Sequence, residues 1–149
     1  MKKTLTLLLI VFTMIGCSSN DDIDTNSISI IGEWTLKAKF SSDGTNKNID
    51  ECEQRSNITF KNNNTFDSNY YRIINGDCTL EDQDQNIEYK VVGDILEVNH
   101  TSTNNSGQTI INVKKIKIKL PNNDTLETYE INQNGTTDSF PGDVWTKHK

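Results

Sequence analysis

The side chains with the most reactive chemistry in this chain are few: three cysteines, Cys17, Cys52 and Cys78, and two histidines, His100 and His148. Nucleophilic catalysis needs a nucleophile beside a base and a third group that orients the base. His148 stands next to the C-terminal residue and His100 ends a short alternating run. No Ser/His/Asp order, glycine-rich phosphate loop or HExxH pattern accompanies either. Zinc sites draw on closely spaced cysteines and histidines, and there is no CxxC. Asp82, Asp84 and Asn86 have the spacing that opens an EF-hand loop, but Ile87 stands at the position that turns on glycine and Gly93 at that of the bidentate glutamate. The acidic run therefore reads as solvated loop charge. The chemistry expected is covalent modification and crosslinking; no enzyme activity, metal or cofactor is expected.

Cys17 ends a segment with a charged start at Lys2 and Lys3, an apolar stretch from Leu5 to Ile15, and a small residue, Gly16, directly before the cysteine. The run is shorter than the roughly 20 apolar residues of a spanning helix. Met14-Ile15-Gly16-Cys17 resembles the lipobox of bacterial lipoproteins, in which cleavage before the cysteine leaves it N-terminal and acylated. The resemblance implies a signal peptide over residues 1–16, and an acylated Cys17 followed by a polar, acidic tether over residues 17–29. It also implies anchoring in the outer membrane. Ser18-Ser19-Asn20-Asp21-Asp22 resembles the signals that route some lipoproteins to the cell surface, so surface display is the finer expectation. With Cys17 acylated, Cys52 and Cys78 remain as an even pair in a compartment where disulfides persist, which favours a bridge over two free thiols. Without Lys2 and Lys3 the chain has 13 basic against 21 acidic residues, a balance of −8. Such a chain has no electrostatic footprint for nucleic acid.

The elements that must position these residues are all strands. Short runs rich in β-branched and aromatic residues alternate with Asn, Gly and Asp clusters, and no sustained 3.6-residue period occurs. Strands are predicted at residues 31–40, 55–61, 65–74, 86–92, 95–100, 109–120, 125–131 and 144–147. In the first, Trp34, Leu36, Ala38 and Phe40 share one face while Glu33, Thr35, Lys37 and Lys39 share the other. Gly93-Asp94 predicts a two-residue hairpin loop that pairs Val91 with Leu96 and Tyr89 with Val98 on one face, and Lys90 with Glu97 on the other. Asn62-Asn63-Asn64 predicts a second hairpin with Phe60 beside Phe66, and this hairpin carries Cys52 and Cys78 towards the same open end. Ile111 and Val113 have the opposite phase from Ile116, Ile118 and Leu120, so a bulge or break is predicted at Lys114-Lys115. Eight strands in meander order predict an all-β, antiparallel up-and-down barrel over residues 30–149.

Several of these stretches together, Ile31-Gly32-Glu33-Trp34-Thr35-Leu36, Cys52 to Phe60, the Asn-rich turn with Thr65-Phe66, Cys78, and Tyr89 to Val98, resemble the lipocalin-like domain of small bacterial cell-envelope lipoproteins. The resemblance implies that Gly32 and Trp34 form the Gly-x-Trp motif at the closed end, with a cation from the last strand, Lys147 or Lys149, over the Trp34 ring. Lys stands there where the motif commonly has Arg, and Asn63-Asn64 replaces the usual Asp-Gly turn. An eight-stranded barrel can enclose one small apolar or amphipathic ligand. Leu36, Phe60, Phe66, Tyr89, Val91, Leu96 and Val98 are the residues expected to line its interior. The alternative is an interaction or structural lipoprotein with a filled barrel, and an interior void above about 300 Å³ separates the two. A monomer is expected in either case.

Overall fold

The computed structural model describes residues 28–103 and 106–148. Cys17, the apolar segment, the tether up to residue 27 and Lys149 lie outside them. Eight strands, β1 (Gly32–Lys39), β2 (Asn57–Phe60), β3 (Thr65–Ile74), β4 (Asp77–Val92), β5 (Ile95–Thr103), β6 (Thr109–Asn122), β7 (Thr125–Glu130) and β8 (Asp143–Lys147), follow one another around a closed antiparallel barrel. β8 returns to pair with β1, with Trp34 opposite Lys147 and Leu36 opposite Trp145. Closure leaves no sheet edge along the barrel wall.

Turn chemistry fixes the registers. Val92, Val91, Lys90 and Tyr89 face Ile95, Leu96, Glu97 and Val98 across Gly93-Asp94, as the two-residue loop predicts. Phe60 faces Phe66 across the asparagine turn, where Asn64 takes a φ of 59°. These turns and the N-terminal approach to β1 lie at one end. The connections over residues 40–56 and 131–142, and the tips of the β3–β4 and β5–β6 hairpins, lie at the other. Inward side chains of all strands meet in one core, in which Ile30, Trp34, Leu36, Ile118, Leu126 and Trp145 are fully buried.

Three expectations need correction. β4 begins at Asp77, nine residues before the predicted start, so Glu81, Asp82 and Asp84 lie on a strand and not in a loop. The long β3–β4 ladder, running to Ile74 opposite Asp77, supplies the backbone partners that make this polar segment a strand. β6 pairs with β5 without interruption from Thr109 to Lys117, so there is no bulge at Lys114-Lys115; Ile111 and Val113 simply face outward and are exposed. The register shift in β6 falls later, between Lys119 and Asn122 against β7. In β1 a bulge between Leu36 and Ala38 breaks the strict alternation and sets Lys39 opposite Asp143, on the inner side. Lys90 lies opposite Glu97 as predicted, and Glu97 forms its ion pair with Lys115 at 2.9 Å.

Candidate functional site

The closed end is built around Gly32-Glu33-Trp34. Trp34 is wholly buried, and its Nε1 donates to the Ile30 carbonyl at 2.7 Å. Lys147 places Nζ 5.3 Å from the Trp34 ring centroid, a cation held against an aromatic face. Gly32 has a φ of +131°, and a Cβ there would lie 2.8 Å from Lys147 Cε, so glycine serves both the backbone and the lysine that crosses it.

Above this floor the barrel encloses a cavity of about 580 Å³ that opens at the opposite end. Phe60, Phe66, Leu96 and Val98 line it, as predicted. Leu36, Tyr89 and Val91 do not. Leu36 is buried below the cavity, and Val91 packs against the core from a half-buried position. Tyr89 meets Phe60 edge-on at 5.1 Å and donates its hydroxyl to the Lys61 carbonyl, at the closed end.

Several lining residues were not singled out from sequence. Trp145, on β8, is 1% exposed and packs edge-to-face with Tyr70 of β3, ring centroids 6.1 Å apart. Ile58, Ile116 and Leu126 complete the apolar wall. The Phe66, Ser68, Tyr70 alternation was the signal that could have placed Tyr70, and the apolar Val144-Trp145 pair the one for Trp145.

The polar part of the wall owes its position to bulges. Between Phe66↔Ile87 and Ser68↔Asp84 the register slips by one residue on β4, and Asn86 adopts a φ of 54° there. Asp67 accepts the Asn86 N–H at 2.8 Å and pairs with Lys61 at 2.7 Å, which locks the slip. The Lys61 hydrogen bond, and then the one from Asn86, hold the Asp67 carboxyl below its ordinary pKa. The extra residue turns Asp84 into the cavity, where it accepts a hydrogen bond from the buried Ser68 hydroxyl at 3.1 Å. Asp143 enters from β8, two residues from Trp145 on the same face. Burial raises its pKa, Glu130 adds to the rise, and Lys39, Lys114 and Lys47 oppose it. Burial likewise pushes the Tyr70 hydroxyl well above its ordinary value, with the charges of Asp143, Asp84 and Asp82 contributing.

The mouth is crosslinked. Cys52, in the β1–β2 connection, is bonded to Cys78 near the tip of the β3–β4 hairpin, with Cα atoms 5.4 Å apart. Gly44 of the same connection lies under the Phe140 ring of the β7–β8 connection; a Cβ there would stand 2.8 Å from it. His100 and Lys114 reach the cavity near its rim, with Lys47 and Glu130. Among the described residues no group of three or more His, Cys, Asp or Glu side chains could hold a metal ion. No helix among them is long and apolar enough to cross a membrane.

A family model described as a lipocalin-like domain matches residues 30–127. No match was found among curated proteins or solved structures.

Proposed function

The chain belongs to the lipocalin-like domain family, and from that premise we propose that it is a non-catalytic binding protein whose barrel holds one small amphipathic ligand. The observation that carries this reading is the cavity of about 580 Å³, nearly twice the roughly 300 Å³ at which pockets begin to hold small molecules. A filled interior, the condition for a purely structural or interaction role, is not what these strands enclose. Cys17 is the acylation site in this proposal, and residues 17–29 tether the barrel to the outer membrane. Ile30 enters at the Trp34 end, which supports a tether joined to the barrel at the end opposite the mouth.

A neutral, polarity-sensitive dye, N-phenyl-1-naphthylamine, tests the binding reading. The wild-type domain is expected to raise its fluorescence saturably with micromolar affinity. Val98→Trp, which puts an indole into the cavity, is expected to abolish that signal while leaving the far-ultraviolet dichroism of the barrel unchanged. No saturable signal from the wild type, or an equal signal from the Val98→Trp chain, refutes the proposal.

A further inference from the structure

Most buried polar groups in a protein wall are paired within the fold. One at this cavity, the Trp145 indole N–H, is not, and two half-buried groups beside it have no partner in the fold either. Trp145 lines the cavity at 1% exposure, and its Nε1 is buried with no hydrogen-bond partner. Asp143, two residues along β8, uses its backbone carbonyl to accept from Thr128, whereas its carboxylate forms no ion pair with a described lysine. The Tyr70 hydroxyl, across from both, has no partner among the described residues, and its ring packs on Trp145. Asp84 adds a second inward carboxylate, holding only the Ser68 hydroxyl.

The sign of the charge here is negative. Lys39 lies opposite Asp143 in the register, but its ammonium is already held by Glu53 at 3.2 Å. Lys47 and Lys114 stand at the rim, exposed to water that screens them. Carboxylates that line a largely apolar cavity without an ion pair are satisfied best by a cation.

We propose that the ligand is a small aromatic amine, its ammonium held by Asp143 and Asp84 against the Tyr70 ring. This deepens the binding reading above and rests on it. Phe60, Phe66, Leu96 and Val98 receive the apolar body, and the carboxylates set its direction. Selectivity follows from the missing partner: a ligand without the ammonium displaces water from two carboxylates and gives them no cation, and one with a carboxylate adds repulsion.

Isothermal titration with three probes of one body tests this: 5-methoxytryptamine (cationic), 5-methoxyindole (neutral) and 5-methoxyindole-3-acetic acid (anionic). The expected result is that the amine binds at least tenfold more tightly than either isostere. Asp143→Asn should erase that preference and leave the neutral probe's affinity within about twofold of wild type. If Asp143→Asn does not fold, the three-probe comparison on the wild-type chain decides alone. Equal or tighter binding of the anion, or an amine preference that survives in both Asp143→Asn and Asp84→Asn, overturns the inference. Binding of the neutral dye without any amine preference overturns it while leaving the cavity reading in place; no binding of the dye or of any indole removes both.

Discussion

At the scale of the residue, Asp143 shows an inward carboxylate held at a cost to the fold. Burial raises its carboxyl pKa above the ordinary 3.8, so folding favours the protonated acid. That contribution is fully present below about pH 4 and fades as pH rises through the raised folded value. At pH 7 the ionised group therefore works against the ligand-free barrel. Asp143→Asn, neutral at every pH, should raise the melting temperature at pH 7 by about 2–5 °C and give no gain at pH 3; a lower melting temperature at pH 7 contradicts this account. A gain in stability joined to a loss of binding is the usual relation at a site shaped for function. Gly32 is the opposite case, a residue kept for the fold. Its φ of +131° is strained for any side chain, so Gly32→Ala should cost about 1–3 kcal/mol, read as a lower urea midpoint with an unchanged slope. The added methyl must also displace the Lys147 stem from its place over Trp34.

At the scale of the element, the mouth is held by one covalent link between the β1–β2 connection and the β3–β4 hairpin. The link closes a loop with a sequence separation of 26, worth about 3.5 kcal/mol in the chain-entropy account. That is a large share of the roughly 5–15 kcal/mol that holds a typical domain together. Replacing Cys52 and Cys78 together with serine, or adding reductant, should lower unfolding stability by about that amount. Equilibrium urea unfolding of the oxidised and reduced chains measures it, and coincident curves would show that the bridge constrains little. The loosening should begin at the mouth, because the closed end is fixed by the Trp34, Lys147 and Tyr89 contacts and by two tight turns. Hydrogen exchange in the reduced chain should therefore quicken around residues 50–56 and 73–79 before it quickens around Trp34.

At the scale of the whole molecule, the barrel has a direction: the chain enters β1 at the closed end, and the cavity opens at the other. Should Cys17 carry the anchor, Cys17→Ser should move the protein out of the membrane pellet, and unchanged detergent-dependent fractionation would refute the anchoring proposal. Protease added to intact cells should remove the domain if Asp21 and Asp22 direct surface display, and replacing both with Ala should protect it. Survival of the wild-type domain, while a known surface protein is digested, would place the barrel on the inner side of the membrane.

The sequence by itself determined the number of strands, their order, and the registers at the two hairpins with tight turns. These depend on side-chain period and turn residues, which are local: Asn64 and Gly93 set their loops whatever surrounds them. It also placed four of the cavity residues, Phe60, Phe66, Leu96 and Val98, because those lie close to the tight turns that fix their phase. The polar half of the cavity was not legible. Asp84 and Lys39 turn inward only because a bulge in each strand adds a residue opposite its neighbour, and a bulge is a property of the pair and not of one strand. Asp84 depends on Asp67 capturing the Asn86 N–H, a contact that exists only once β3 and β4 are paired. The strand period assigned Lys39 to solvent and the loop reading did the same for Asp84, whereas the paired and closed barrel turns both towards the cavity.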